Sequence, residues 1–314
     1  MVGQVIGHYC IDAKIGEGQF AVVYRGRDIR LDRVVAVKVL KKRDFQGSTA
    51  WGRMLREARI ASALNHPNIC SLYDIGEEED TNYVVFEFVE GKTLRAILGS
   101  GPIPIQDVLL YGIQIAEAMA YTHGAGILHR DFKSSNIMVT PTGRIKVVDF
   151  GLAKVMKEEK AKQAEGSHSS VQEIGWVVGT LPYMAPELLH GETATTQAGV
   201  WALGIVLFEM LTGQLPFGGR SPFELGMDIM TGKVKQLPMD IPAGLRGIVQ
   251  RCLTRDREYR YYSAFEVLNH LQSEFVTFQI RSILANRRHS QNEGCRPTRL
   301  RQGFLWLSFL FHHN

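Results

Sequence analysis

Three side chains suited to handling magnesium ions and protons lie in residues 129–151, HRDFKSSNIMVTPTGRIKVVDFG: Asp131, Asn136 and Asp149. A lone Asp or Asn is usually a turn or cap residue. Here the first Asp follows His-Arg, a Lys comes two residues after it, an Asn comes five residues after it, and Asp-Phe-Gly lies downstream. This order and spacing are those of a phosphoryl-transfer site. The stretch therefore predicts transfer of a phosphoryl group.

A glycine-containing hairpin and a strand lysine predict a second part of such a site. The segment IGEGQFAVVYRGRD places Gly16 and Gly18 at the end of one strand and Val23 in the next, so backbone amides can approach phosphate oxygens. Most glycine hairpins are ordinary turns. Lys38 in VVAVKVL adds weight, because it follows at the distance expected of an ATP-positioning lysine and alternates to the face opposite its valine neighbours.

Glu57, in the helix after this strand, is the predicted partner of Lys38, since an ion pair would fix the ammonium against phosphates. The alternative is a pair with an arginine on its own helix, where Arg53, Arg56 and Arg59 are neighbours.

Hydrophobic periodicity divides the chain into a β-rich and a helical part. Short β-branched runs fill the first 90 residues, with one helical stretch from about Ala50 to Leu64. After Gly91 helical segments follow at 105–123, 197–212, 222–231, 243–253 and 263–275. The short boundary at 88–91 favours a hinge between two lobes, and a cleft between lobes is a natural ligand site. Residues 156–175 are charged and polar and are interpreted as a loop.

Charge and cysteine usage exclude several classes. The net charge of +4 comes from residues 276–314, which carry six Arg and one Glu, so the rest gives no electrostatic case for nucleic-acid binding. Four scattered cysteines predict neither a disulfide framework nor a zinc site and fit a reducing cytosol. No signal peptide is visible, and the apolar run 304–311 is too short to span a bilayer.

The motifs AVKVL, HRDFKSSN, DFG and APE together resemble the eukaryotic-type protein kinase family, in the family's order, over about residues 9–275. In style the N-terminal region is most similar to bacterial serine/threonine protein kinases. The resemblance implies an α+β bilobal fold. Residues 1–88 would form the β-rich ATP-binding lobe and 89–275 the helical catalytic and substrate lobe, while the basic tail 276–314 would lie outside the kinase core.

The resemblance also implies a role for each residue of the phosphoryl-transfer motif. Asp131 would accept the proton of the substrate hydroxyl, and Lys133 would steady the transferred γ-phosphoryl group of ATP. Asn136 and Asp149 would hold Mg²⁺. A lysine at position 133 is similar to the class that acts on serine and threonine, so the expected partners are proteins with Ser or Thr acceptors.

For the nucleotide, the resemblance implies a phosphate loop, an adenine sandwich and backbone contacts between the lobes. The backbone groups would be those of Glu87 and Val89, with Phe86 behind them. The other expected ATP-binding residues are Ile15, Gly16, Gly18, Val23, Ala36, Lys38 and Met138.

Residues 149–187 resemble an activation segment. Arg130 would pair with a phosphate placed on this segment by autophosphorylation, with Ser167, Ser169 or Ser170 as the acceptor. Thr180, next to Gly179, would face the substrate. Glu187 would form a buried, structural ion pair with Arg260.

Three positions depart from the family pattern. Gly199 stands where an Asp would accept backbone hydrogen bonds from the catalytic loop, residues 129–136. Ala21 replaces a glycine of the hairpin, and Ser134 replaces a proline. None removes a reacting group, so a working enzyme is favoured, and Gly199→Asp is expected to raise stability or turnover. An ATP-binding pseudokinase or scaffold stays open as the alternative. A small-acceptor phosphotransferase is disfavoured by the peptide-docking residues.

The tail combines arginines with the sequence FLWLSFLF. This composition leads to a hypothesis of weak attachment to anionic membrane surfaces, the alternative being a disordered or self-packed tail. The expected location is therefore cytoplasmic, with membrane association through the tail.

Overall fold

The chain divides into two units, Met1–Phe275 and Val276–Asn314. The computed structural model describes residues 1–18, 21–41, 48–78, 81–149 and 179–292. The predicted α+β bilobal fold is confirmed within the first unit, where an antiparallel sheet is followed by a mainly helical part.

Short β-branched runs form a six-stranded antiparallel sheet in the order β1-β2-β3-β4-β6-β5. A second, three-stranded sheet has the order β7-β8-β9. The strands are β1 Val5–Ile6, β2 Tyr9–Glu17, β3 Ala21–Asp28, β4 Arg33–Leu40, β5 Leu72–Glu78, β6 Thr81–Glu87, β7 Lys92–Thr93, β8 Ile137–Val139 and β9 Ile145–Val147.

Side-chain alternation along β4 separates two functions of this strand. Val35, Val37 and Val39 point into one buried cluster, which they share with residues of β1, β2 and β6. Ala36 packs against a different cluster on the other face, together with Met54 and Ala58 of helix α1, Ser48–Ser62. Lys38 alternates with its valine neighbours and so lies on this second face, as the sequence predicts.

Gly91 ends the segment between the large sheet and the helical part. Its φ of 151° lies in a region that favours glycine, and a Cβ there would overlap the Val139 carbonyl oxygen. The close approach of residue 91 to β8 therefore requires glycine at this position.

A central buried helix organises the helical part. This helix, α5, spans Thr196–Thr212, and every residue from Val200 to Leu211 is buried, as expected for a helix that is apolar all round. It begins after Thr195, whose hydroxyl accepts from the Ala198 amide, and ends at left-handed Gly213. The other helices after α1 are α2 Leu94–Leu98, α3 Ile105–Gly124, α4 Pro186–Leu189, α6 Pro222–Thr231, α7 Ala243–Cys252 and α8 Ala264–Asn292, with α5 at Thr196–Thr212.

The helix predicted at 263–275 is longer than expected. It continues as α8 to Asn292. Residues 276–285 have no buried apolar face in common with the first part, but they are residue types that still favour a helix. Among the described residues, no helix combines the length and the apolarity that crossing a bilayer requires. Cys10, Cys70 and Cys252 are free thiols, and Cys295 lies outside the described residues.

Candidate active site

Lys38 and Asp149 meet although they are far apart in the sequence. The Lys38 ammonium donates to Asp149 Oδ1 at 2.7 Å. Asp149 follows β9 and has a left-handed φ of 64°, a backbone conformation uncommon for a residue with a side chain. The strand lysine and the aspartate of the Asp-Phe-Gly motif thus form one charged pair, which is mostly buried on the lysine side.

The predicted ion pair between Lys38 and Glu57 is not formed. Glu57 is partly buried on α1, and no described residue forms an ion pair with it. The ammonium of Lys38 is instead neutralised by Asp149, which the left-handed backbone at residue 149 turns towards it. The alternative prediction, a pair of Glu57 with Arg56 or Arg59, is not formed either; the side chain of Arg53 lies outside the description.

The Asp131 carboxylate lies at the centre of a hydrogen-bond cluster. Its Oδ1 accepts from the Thr180 hydroxyl at 2.7 Å, and its Oδ2 lies 2.9 Å from the Lys133 ammonium. Lys133 also donates to Thr180 at 3.2 Å. Two side chains from two segments therefore fix the carboxylate, and one of them is a lysine that can also reach a phosphate.

Asn136 is positioned by the same aspartate. Its side-chain nitrogen donates to the Asp131 carbonyl oxygen at 2.9 Å and to Asp131 Oδ2 at 3.1 Å. Within the described residues no donor reaches the Asn136 side-chain oxygen. An amide oxygen left available and the second carboxylate oxygen of Asp149 are the hard ligands that Mg²⁺ prefers, so these residues fit the predicted metal site.

Backbone contacts hold the Asp131 cluster next to Asp149. Val148, the residue before Asp149, donates its amide to the Asn136 carbonyl oxygen at 2.9 Å. Its own carbonyl oxygen lies 2.9 Å from His129 Nε2. Because the Asp131 amide donates to His129 Nδ1 at 3.3 Å, the proton of the neutral ring is on Nε2. Complete burial lowers the pKa of His129, which keeps the ring neutral in this role.

The predicted nucleotide residues lie on the strands around Lys38. Gly16 pairs with Val23, and the Gly18 amide donates to the Ala21 carbonyl oxygen, so the hairpin forms as expected around residues 19 and 20, which are outside the described part. Ile15 is exposed on β2. Ala36 of β4 and Met138 of β8 are partly buried.

The two predicted adenine contacts between the lobes, Glu87 and Val89, differ in which of their backbone groups are already hydrogen-bonded. The Glu87 amide already donates to Ser71, and its carboxylate accepts from Lys146 at 2.8 Å. Val89 makes no backbone hydrogen bond to any described residue. Its amide and carbonyl are therefore available to a ligand. Glu87 offers its carbonyl oxygen, to which the Cys70 thiol is the one side-chain donor among the described residues.

The predicted pair of Glu187 and Arg260 is confirmed. Arg260 Nη1 and Nη2 donate to the two oxygens of Glu187 at 2.7 and 3.1 Å, and both residues are buried. Arg260 also donates to the carbonyl oxygens of Thr254, Arg255 and Gln197, and its guanidinium lies over the Trp201 ring. All five donors of this buried cation have acceptors nearby, as a buried charge requires.

A buried network next to the catalytic loop was not predicted. The Tyr183 hydroxyl donates to Glu209 Oε2 at 2.7 Å, so its oxygen accepts from Ser134 Oγ at 2.9 Å. Arg95 donates to the other Glu209 oxygen at 3.0 Å. In the sequence Ser134 stands out only as a departure from the family pattern. Its hydrogen bond to Tyr183 joins the catalytic loop to this network. No local pattern links these residues, which come from four separate segments.

Gly199 lies on α5 against the end of α3. A Cβ built on it would lie 3.1 Å from His123 Nε2 and 3.2 Å from Met119 Cε. The neighbours of residue 199 are thus close, and the His123 ring occupies part of the space that a side chain would take. The predicted phosphorylation sites Ser167, Ser169 and Ser170 lie outside the described residues, as do residues 150–178 generally.

Comparison of the sequence with known proteins assigns the chain to a family. The family model described as the protein kinase domain matches residues 9–272. The chain belongs to the protein kinase domain family. Membership of this family implies use of ATP and a divalent metal ion, and protein substrates in general.

Curated relatives of this protein kinase domain come from bacteria. It is 37% identical over 276 residues to serine/threonine-protein kinase PrkC of Bacillus subtilis, covering 87% of this chain and 41% of that protein. It is 36% identical over 265 residues to serine/threonine-protein kinase PknB of Mycobacterium leprae, covering 81% of this chain and 40% of the relative. The chain spans about two fifths of the length of these relatives.

Proposed function

We propose that the chain is a serine/threonine protein kinase that transfers the γ-phosphoryl group of ATP to Ser or Thr hydroxyls of proteins in bacterial signalling. The observation that supports it most is the Asp131 carboxylate held by Lys133, Asn136 and Thr180 next to the Lys38–Asp149 pair. The names of the bacterial relatives, all serine/threonine kinases, favour the same activity.

In this proposal the substrate hydroxyl attacks the γ-phosphorus. The new O–P bond forms as the bond to the β-phosphate oxygen breaks, ADP leaves with that electron pair, and the hydroxyl proton passes to Asp131. The carboxylate is oriented for this by Thr180 on Oδ1. Lys133, which contacts Oδ2, stabilises the charge that spreads over the transferred group, and Lys38 binds the phosphates of the nucleotide.

Magnesium is the proposed metal, and when bound it neutralises phosphate charge as a Lewis acid. Asn136 and Asp149 would hold it. The amide nitrogen of Asn136 is occupied by Asp131, so its oxygen is the atom left to bind a cation. Glu57 stays a sequence prediction as a catalytic residue, since Lys38 is paired with Asp149.

The remaining ATP contacts are proposed from their register in the sheets. Ile15, Gly16, Gly18 and Val23 belong to the hairpin, and Ala36 and Met138 lie on neighbouring strands. The backbone of Val89, which has no hydrogen bond among the described residues, is the strongest candidate for an adenine contact.

Incubation of the purified chain with γ-labelled ATP, magnesium and a generic basic protein tests the activity. We expect labelled phosphoserine or phosphothreonine, and a loss of at least about 100-fold in Asp131→Asn, because a positioned base contributes on the order of 10²–10⁴ in rate. Asp240→Asn, at an exposed position in a turn, is the matched control and should keep full activity.

If neither the wild type nor Asp131→Asn incorporates label, while ATP still raises the melting temperature, the chain is an ATP-binding pseudokinase or scaffold and this proposal is rejected. Gly199 is the residue that favours this alternative. Autophosphorylation is proposed at Ser167, Ser169 or Ser170; mass spectrometry of the labelled chain would locate the phosphate, and phosphate found only elsewhere would reject these sites.

We also propose that the tail contacts anionic membrane surfaces weakly. In the second unit Val276, Ile280, Ile283 and Leu284 are exposed at helical spacing, with Arg281 beside them, which is the pattern of an interfacial helix. The full chain should co-sediment with vesicles containing phosphatidylserine more than with zwitterionic vesicles. Ile280→Glu with Ile283→Glu should remove this difference; equal recovery with both vesicle types by the wild type would reject the contact.

A further inference from the structure

A small cavity lies where α3, the catalytic loop and α5 meet. Its volume is about 60 Å³, and its lining includes His123 of α3, Arg130 of the loop, Thr180, and Gly199 of α5. The lining residues all belong to the described part of the chain, and none of them is an Asp or Glu. The cavity therefore adjoins the loop that carries Asp131 and has no carboxylate of its own.

His123 lines this cavity and carries an unpartnered polar atom. Nδ1 of its ring is fully buried and has no hydrogen-bond partner. The side of the ring with Nε2 and Cε1 faces Gly199, where a Cβ would lie 3.1 Å from Nε2. No described residue hydrogen-bonds to either ring nitrogen. A buried imidazole without partners costs free energy, which a ligand with a complementary atom would recover.

Arg130 contributes a second donor. Its φ of 61° places the backbone of the catalytic loop in the left-handed region, which is unfavourable for arginine. Among the described residues no acceptor receives its amide hydrogen. The wall of the cavity thus includes a strained residue of the catalytic loop whose N–H group is unused.

We propose that this cavity binds a small carboxylate of the size of formate, which accepts hydrogen bonds from the His123 ring and the Arg130 amide and steadies the catalytic loop. The volume suits such a ligand, since one water needs about 10–15 Å³ of comparable space. Binding itself does not depend on the proposed kinase activity; only its effect on turnover rests on that function.

Charge balance decides how such an anion binds. A carboxylate among apolar lining residues such as Leu128 and Phe132 is costly unless it is paired. Burial lowers the pKa of His123 to about 4, so the empty site holds a neutral ring at pH 7. An adjacent anion favours the imidazolium, so binding takes up a proton and strengthens as the pH falls.

Other charged groups could modify this dependence. Besides His123, the titratable or charged residues that line the cavity are His129 and Arg130 of the catalytic loop and Tyr183 of the segment after Thr180; α5 contributes none. Protonation of His129 at Nδ1 would break the hydrogen bond that this nitrogen accepts from the Asp131 amide, so His123 is the group that takes up the proton.

The test titrates the full chain with sodium formate at pH 6 and pH 8, against sodium chloride at equal ionic strength. We expect a saturable rise in melting temperature of about 2–4 °C with formate alone, larger at pH 6, and a shift of the ¹⁵N resonances of the His123 ring. Gly199→Asp, which supplies a carboxylate covalently, and His123→Leu should both lose the response. His190→Gln, at an exposed position, should keep it.

Equal effects of formate and chloride, or a formate response that persists in Gly199→Asp, would overturn the proposal. If His123→Leu fails to fold, the ring resonances of the wild type and the Gly199→Asp titration still decide. If formate raises the melting temperature but the chain phosphorylates nothing, the proposed kinase activity is rejected and the carboxylate site is retained. With activity present, turnover should rise with the same saturation curve as the melting temperature, and a flat turnover would reject the effect on the loop.

Discussion

At the residue scale, the arrangement around Asp131 explains why particular side chain types are needed. A carboxylate with Thr180 on one oxygen and Lys133 on the other is fixed in orientation. Thr180 can also hydrogen-bond a substrate hydroxyl, and Lys133 can also bind a phosphate. Asn136 completes the cluster through two hydrogen bonds to the same residue. Each of these contacts depends on a specific functional group.

His123 predicts a pH dependence of stability. Burial lowers the pKa of His123 from 6.5 to about 4 in the folded chain. The unfolded chain therefore binds the proton first as the pH falls. The contribution of the neutral His123 ring to the free energy of unfolding is full above pH 6.5 and is lost between pH 6.5 and about 4. We expect the free energy of unfolding to fall over this window by up to about 3 kcal/mol more in wild type than in His123→Leu.

Urea titrations from pH 7 to pH 4 in buffers without carboxylates would measure this difference. The His190→Gln variant serves as the control and should follow the wild type. Parallel pH profiles of wild type and His123→Leu would contradict the buried, neutral state of this ring.

Local spacing accounts for what the sequence could predict at this scale. Asp131, Lys133 and Asn136 are close in sequence, so their motif already implied a common site. The pairing of Lys38 with Asp149 across 111 residues was predicted only as a shared pocket, and the sequence instead favoured Glu57. Which carboxylate meets the ammonium depends on the backbone at residue 149, which no sequence pattern reveals.

At the element scale, buried ion pairs and hydrogen-bond networks join the segments that carry the site. Arg260, which lies just before α8, is bonded to Glu187 of α4 and so connects these two parts of the chain. Ser134, Tyr183 and Glu209 connect the catalytic loop to α5. Periodicity placed α3, α5, α6 and α7 to within one residue of their observed ends. It could not reveal these cross-links, because they join polar residues that are isolated in the sequence.

Removing one partner of the Glu187–Arg260 pair should strongly destabilise the first unit. Glu187→Gln leaves Arg260 buried without a counter-charge, so we expect a loss of about 3–5 kcal/mol in the free energy of unfolding. Glu192→Gln breaks the exposed pair with Arg257 and should cost less than about 1 kcal/mol. Chemical denaturation of both variants measures the contrast, and similar losses in the two would show that burial does not govern the strength of these pairs.

At the scale of the whole molecule, the first unit brings a β-sheet lysine and a loop from the helical part together through Asp149. The pairing of β8 with β9 continues into the hydrogen bond from the Val148 amide to the Asn136 carbonyl oxygen, so the two halves of the site share one local scaffold. The second unit begins at Val276 within a continuous helix. The sequence predicted a change of character there but not that the helix would continue.

Under the proposed function, a single metal-bound triphosphate is held by Lys38, Asp131, Asn136 and Asp149. A crystal structure of the chain with Mg²⁺ and a non-hydrolysable ATP analogue tests it most directly. We expect Mg²⁺ at about 2.0–2.1 Å from side-chain oxygens of Asn136 and Asp149, with the Lys38 ammonium on the phosphates. Density that places the triphosphate away from Lys38, or the metal on neither Asn136 nor Asp149, would contradict the account.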